Sequence, residues 1–268
     1  MLLRVKLSVV LTPALLLITL MLAACASTDD KLATMEPAKI YEDAKDDMSS
    51  GAYDKAITKL EKLEGRAAGT PLAQQAQLDK AYAQHKSGEG VAAIATLDRF
   101  IKQHPASPAM DYALYLKGLV NFNDNLGIFG SIIKQDLSER DQKAAKDSFE
   151  AFKELVTRFP DSRYSADGRQ RLIYITNSLA RYDVHVARYY FNRGAYVAAI
   201  SRAQSALTDY RDVPAQEEAL FILMRSQDAL GMTNLRDDAR RVLERTYPNS
   251  VYLTEGFKPQ QTPWWKLW

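Results

Sequence analysis

The sequence predicts an all-α fold built from repeated helical hairpins, and three observations carry that prediction. Few segments alternate apolar and polar residues as a half-buried strand would, whereas Ala, Leu, Tyr, Lys, Glu and Gln recur at spacings of three and four. One proline punctuation returns three times: His104-Pro105-Ala106-Ser107, Phe159-Pro160-Asp161-Ser162 and Tyr247-Pro248-Asn249-Ser250. Each follows an amphipathic segment, where a proline ends a helix because it lacks an N–H and crowds the preceding turn. A glycine turn also returns, as Gly51-Ala52-Tyr53 and Gly194-Ala195-Tyr196, each followed by an Ala-Ile pair (Ala56-Ile57, Ala199-Ile200). Gly88-Glu89-Gly90 before Ala93-Ile94 is a turn of the same kind.

The elements follow in chain order. Arg4 and Lys6 form a short basic start, residues 7–24 carry no charge, and the run closes with Leu22-Ala23-Ala24 before Cys25, the single cysteine of the 268 residues. A basic start, an apolar run and small residues at the cut describe an export signal over 1–24. A cysteine at that place resembles the bacterial lipobox, in which the thiol is acylated and the chain is cut just before it. The competing readings are an uncleaved anchor, since the apolar run is borderline for a membrane span and Pro13 would disturb one, and a free buried cysteine. Several acyl chains hold a protein to a membrane far more firmly than one. Residue 26 is Ala rather than the Asp that resembles an inner-membrane retention signal, so the expected location is the outer membrane, on its periplasmic face. The polar stretch that follows makes 25–36 a lipidated flexible linker.

The repeats come next. Their punctuation matches the tetratricopeptide pattern, in which a small residue lets two antiparallel helices approach and a proline closes each unit of about 34 residues. Units are expected near 37–69, 72–106, 109–161, 164–212 and 215–250. In their second helices Ile57, Ile94, Phe149 and Ile200 are equivalent, followed by Leu60, Leu97, Phe152 and Ala203. The third and fourth units are longer than the pattern and so carry longer helices or insertions, and the fifth aligns only loosely. Stacked, about five such hairpins make a right-handed superhelical solenoid with a concave groove, an architecture that binds polypeptides. The bland alternative is an irregular helical bundle. By position, 37–106 holds repeats one and two, 107–250 holds repeats three to five, and 251–268 is a Trp-rich tail.

Composition narrows the function. Lys and Arg number 35 and Asp and Glu 33; removing 1–24 takes away Arg4 and Lys6 and no acid, leaving a formal charge of zero. Nothing in that balance calls for nucleic acid or an anionic surface. With Cys25 carrying lipid no thiol is left for a disulfide, so stability rests on packing. His85, His104 and His185 stand in separate units. The sequence has no HExxH or Cys/His cluster for a metal, no GxSxG, and no phosphate-cradling loop. Adjacent acids such as Asp46-Asp47 point about 100° apart on a helix and read as solvated faces. The sequence therefore predicts no enzyme and no cofactor.

Several stretches are more specific than generic repeats: Ile40-Tyr41 with Gly51-Ala52-Tyr53-Asp54-Lys55-Ala56-Ile57; Asp98-Arg99-Phe100-Ile101 with His104-Pro105 and Asp111-Tyr112-Ala113-Leu114-Tyr115; Phe159-Pro160-Asp161-Ser162-Arg163-Tyr164 with Arg171-Leu172; and Ala187-Arg188-Tyr189-Tyr190 with Arg193-Gly194-Ala195-Tyr196. With the lipobox, they make the chain resemble the BamD (ComL) family of lipoproteins of the outer-membrane β-barrel assembly machinery, over nearly all of 25–250. That resemblance implies a scaffold that joins the barrel-forming subunit through its C-terminal repeats, binds a smaller lipoprotein subunit, and receives unfolded outer-membrane proteins in its N-terminal groove. It places Arg202, with Tyr196 and Arg193, at the contact to the barrel subunit; a planar guanidinium suits a two-point grip on a carboxylate. The alternative is a surface arginine paired with Asp209 or with nothing. Tyr41 and Tyr82 are candidates for a peptide groove, although aromatics at repeat positions, Tyr53 and Phe100 among them, more often pack helices.

Two further segments are left open. The connection 121–141 has an apolar centre (Leu126, Ile128, Phe129, Ile132, Ile133) that is either a partner patch or folds back. The tail Pro263-Trp264-Trp265-Lys266-Leu267-Trp268 departs from the family pattern and either caps the repeats, docks on a partner, or rests at a membrane interface. Other functions compatible with the repeats are a periplasmic scaffold coordinating cell-wall synthesis or envelope tethering, and a cell-wall-remodelling enzyme, which would need a poised carboxylic acid.

Overall fold

The computed structural model describes residues 32–122 and 142–257. Cys25 and the export segment, the apolar centre of the connection, and the Trp-rich end lie outside the described residues. Among the described residues every regular element is a helix, as the periodicity predicts. The chain divides into two compact units, Met1–Val120 and Asn121–Trp268.

The first unit holds α1 (Pro37–Ser49), α2 (Tyr53–Arg66), α3 (Pro71–Lys86), α4 (Gly90–Gln103) and α5 (Met110–Asn121). Local chemistry sets the starts. Pro37 and Pro71 stand in the first turns of α1 and α3, where a missing N–H costs nothing and a fixed φ suits the helix. Thr70 caps α3 by accepting the Ala73 N–H at 3.2 Å. Ile40, Ala44, Ala56, Leu60 and Leu63 close α1 on α2 without solvent exposure, and Leu78, Leu97, Phe100, Ala113 and Leu116 form a second cluster joining α3, α4 and α5.

The second unit holds α6 (Gln142–Arg158), α7 (Ser165–Asn192), α8 (Tyr196–Asp209), α9 (Ala215–Ala229), α10 (Thr233–Thr246) and the single turn α11 (Val251–Thr254). α7 has 28 residues, about 42 Å of helix, and packs on α6, α8 and α9. Gly168 allows the approach of α6, since a Cβ there would meet Leu155 at 3.1 Å and Phe152 at 3.6 Å. The third sequence unit contributes α5 to the first compact unit and α6 to the second.

One turn recurs at four hairpin tips. Gly51, Gly88, Gly194 and Gly231 all have φ between 70° and 89°, the left-handed region that only glycine enters without strain. At each, the next residue donates its N–H five positions back along the turn: Ala52 to Asp47, Glu89 to Gln84, Ala195 to Tyr190 and Met232 to Gln227, at 2.8–2.9 Å. This closure satisfies the helix's last carbonyls and reverses the chain. The fourth copy, Gly231-Met232, brings the fifth hairpin into line with the others.

Counting from those glycines refines the expected register. The fully buried residue of the Ala-Ile pair is the alanine (Ala56, Ala93, Ala199), with Leu60, Leu97 and Ala203 equally buried one turn later. In α10 the same register differs. α4 presents Ala93, Ile94, Leu97 and Ile101; α10 has Arg236, Asp237, Arg240 and Glu244 at the matching places, tied by Arg236–Asp228 at 2.9 Å and Arg240–Glu244 at 2.8 Å. A polar face of this kind is what a terminal repeat presents to water.

Candidate partner-binding surfaces

Three surfaces are built by these repeats. The first is the α7–α8 tip, projected by the Gly194 turn. Arg193 lies over the Tyr189 ring at 5.0 Å, Tyr189 meets Tyr190 edge-on at 5.7 Å, and Tyr196 meets Phe191 edge-on at 5.6 Å. Tyr189 is 50% exposed and Val197 70%. Apolar and aromatic groups held at a tip by their neighbours offer contact area with little ordering cost. Arg202 lies further along α8. Its Nη1 is 3.3 Å from Asp183 Oδ1, with 47% of the side chain exposed. The partner is thus Asp183 across the hairpin, on α7, rather than Asp209 on its own helix. Burial pushes the Asp183 carboxyl above its ordinary range, and the Arg202 charge opposes that rise. Arg202 therefore has an internal hold and a half-exposed guanidinium. Arg193 and Tyr196 sit together at the tip; Arg202 is two turns from it.

The second surface concerns Tyr41 and Tyr82. The Tyr41 hydroxyl donates to Asp79 Oδ2 at 2.8 Å across α1 and α3, and Gln75 Nε2 donates to the same carboxylate at 3.0 Å. Asp79 and Tyr82 are three apart on α3 and share a face, so the Tyr41 hydroxyl reaches the strip that displays Tyr82, which is 36% exposed. Burial pushes the Asp79 carboxyl up, and the two donors pull it back. A raised native carboxyl binds its proton more tightly than the unfolded chain does. Its ionisation therefore costs stability above the unfolded value near 3.9, and that cost vanishes at lower pH. Tyr41→Phe removes a donor to the charged form. It is expected to cost about 1.5–3 kcal/mol at pH 7, with the deficit shrinking toward pH 3; urea unfolding at the two pH values checks this, and an equal deficit at both would refute it.

The third surface is a groove of about 640 Å³ in the second unit, between α7 and α9. Arg181, His185 and Arg188 line the α7 side, Glu217 and Glu218 the α9 side, and Tyr252 closes one end. Arg188 pairs with the nearly buried Glu218, which also accepts from the Tyr252 hydroxyl at 3.1 Å. Burial first, then the Glu218 charge, pushes the Tyr252 hydroxyl up to about 12. Sequence reading passed over this groove, although Arg181, His185 and Arg188 at i, i+4 and i+7 mark one helix face. Among the described residues no group of three or more His, Cys, Asp or Glu side chains is placed to hold a metal, and no helix is long and apolar enough to cross a membrane.

Comparison with known proteins identifies the family. A family described as YfiO, outer membrane lipoprotein, matches residues 33–243. The outer membrane protein assembly factor BamD of Neisseria meningitidis serogroup A is 42% identical over 255 residues, covering 93% of this chain and 96% of that protein. The proteins of the same name from Xylella fastidiosa, 34% identical over 80% of this chain and 73% of theirs, and from Vibrio cholerae, 31% identical over 84% and 93%, are also similar. A match across most of the repeats, with relatives aligned nearly end to end, shows that the chain belongs to the YfiO (BamD) family of outer membrane lipoproteins.

Proposed function

We propose that this chain is a lipid-anchored scaffold of outer-membrane protein assembly, facing the periplasm and acting by binding rather than by catalysis. The observation that carries the reading is the near end-to-end similarity to proteins named outer membrane protein assembly factor, together with a helical-hairpin array that displays aromatic and basic side chains. Acyl chains on Cys25 fix the N-terminus. The first two repeats, with Tyr41 and Tyr82, receive unfolded outer-membrane proteins. The C-terminal repeats hold the barrel-forming subunit through Arg202, Tyr196 and Arg193, and the smaller lipoprotein subunits join the same scaffold. Tethering raises the effective concentration of weak substrate contacts to the millimolar range.

Arg202→Glu is expected to weaken binding of the barrel-forming subunit by about tenfold or more, since a reversed charge at a partner carboxylate costs about 2 kcal/mol or more, and to leave helicity unchanged. Affinity capture from detergent-solubilised membranes with mass spectrometry tests the whole reading, with Cys25→Ala as the control for anchoring. Stoichiometric recovery of the barrel subunit supports it. Recovery of cell-wall or tethering proteins without that subunit replaces it with the envelope-scaffold reading.

A further inference from the structure

A second groove in the C-terminal unit, of about 450 Å³, lies between Phe191 of α7, Phe221, Met224 and Arg225 of α9, and Arg240 of α10; its remaining wall is the chain's own exit segment, ending at Phe257. That volume falls in the range of about 300–1,000 Å³ typical of sites for compact ligands. Its apolar part is aromatic and thioether with Leu253 beside them, and two guanidinium groups reach it. Arg240 gives its Nε to Glu244 at 2.8 Å. Arg225 is exposed and makes no ion pair among the described residues.

The path of the chain selects the occupant. Gly256, with φ 65°, reverses the backbone after α11 and seats Phe257 with its ring 5.3 Å from Phe191 and 4.9 Å from Phe221. Residues 258–268 therefore start at the rim of the groove. They contain all three tryptophans of the sequence, Trp264, Trp265 and Trp268, behind Pro263. From Phe257 to Trp264 an extended chain spans up to about 25 Å, well beyond the 10–12 Å width of a helix, so the indoles can double back onto α9 and α10. We propose that this groove is the docking site of the chain's own Trp-rich end, with an indole lying over the Arg225 guanidinium beside Met224 and Arg240. An indole face is the best partner for a cation, and a weakly hydrated, planar guanidinium stacks on it readily. A short tether supplies a millimolar effective concentration, which populates even a weak contact.

The placement of every tryptophan in this segment makes the test specific, because tryptophan fluorescence reports on nothing else in the chain. The full chain in detergent is expected to show blue-shifted emission and shielding from acrylamide. Arg225→Glu, at an exposed site outside the core, is expected to lower the docking equilibrium constant by about fivefold, the equivalent of one cation–π contact of about 1 kcal/mol, and to shift the emission toward that of free tryptophan while far-ultraviolet circular dichroism stays constant. Emission of solvated tryptophan in the unsubstituted chain overturns the proposal. So does shielding that Arg225→Glu leaves intact, which would place the segment in the micelle or elsewhere, and so does shielding that appears only when the barrel-forming subunit is added.

Discussion

Replacing Glu64 with alanine is expected to destabilise the N-terminal unit by about 3 kcal/mol, a large share of the roughly 5–15 kcal/mol that holds a typical domain. Lys80 Nζ lies 2.5 Å from Glu64 Oε2, and Lys80 is only 5% exposed. Arg99 Nη2 sits 2.9 Å from the other carboxylate oxygen. One side chain of α2 thus closes charges from α3 and α4 together. Without it the Lys80 ammonium is buried with no counter-charge, and breaking such a pair costs more than the pair contributes. Glu64 itself keeps 24% of its side chain in solvent, so the low end of the usual 3–5 kcal/mol applies. The double replacement Glu64→Ala, Lys80→Met removes both charges and is expected to recover most of the loss, because an apolar stem already lies in that place. Guanidinium unfolding of the three proteins decides it: a loss below about 0.5 kcal/mol in Glu64→Ala, the size of an exposed pair, would mean that Lys80 finds water by moving.

Phe221→Ala is the second large effect, about 3–5 kcal/mol on the C-terminal unit. Phe221 is 5% exposed, stacks on Tyr252 with ring centroids 5.4 Å apart and takes Phe257 edge-on at 4.9 Å. Each aromatic pair adds about 0.5–1.5 kcal/mol beyond the area it buries. α11 is a single turn, too short to persist without tertiary contacts, so its fate depends on this ring. Amide hydrogen exchange is expected to show protection lost across 251–257 while α6, at the other end of the unit, keeps its own. Protection of 251–257 that survives the substitution would assign the closure to Tyr252, whose hydroxyl holds Glu218, rather than to the aromatic cluster.

These two sites show where reading the sequence stops. The helices and their turns were legible because their causes are local. A glycine with φ near 80° and a proline just after a second helix act within a few residues of themselves, so they return at several of the repeats and can be recognised by their return. The Gly231-Met232 turn is equally local, but α10 carries Arg236 and Arg240 where α2 and α4 carry alanine and leucine. Ile57, Ile94 and Ile200, equivalent by spacing, are alike in burial: all are half-buried, because close helix approach puts the alanine before each of them at the contact.

The partners of charged residues were not legible. Asp209 is the natural guess for Arg202 from spacing along one helix, yet the bond goes to Asp183, 19 positions back. Glu64 reaches Lys80 over 16 positions and Arg99 over 35, and Arg188 reaches Glu218 over 30. At the C-terminal end the tryptophans drew attention, while Tyr252 and Phe257 close the last described repeat.

The sequence by itself determined the helical hairpins and the family, because periodicity, punctuation and turn geometry are written in neighbouring residues. The tertiary structure alone decided which charges neutralise one another, which aromatics close the final repeat and where the grooves lie. Those depend on how antiparallel helices are set side by side, and two residues that meet across such a contact leave no mark in the spacing along either helix.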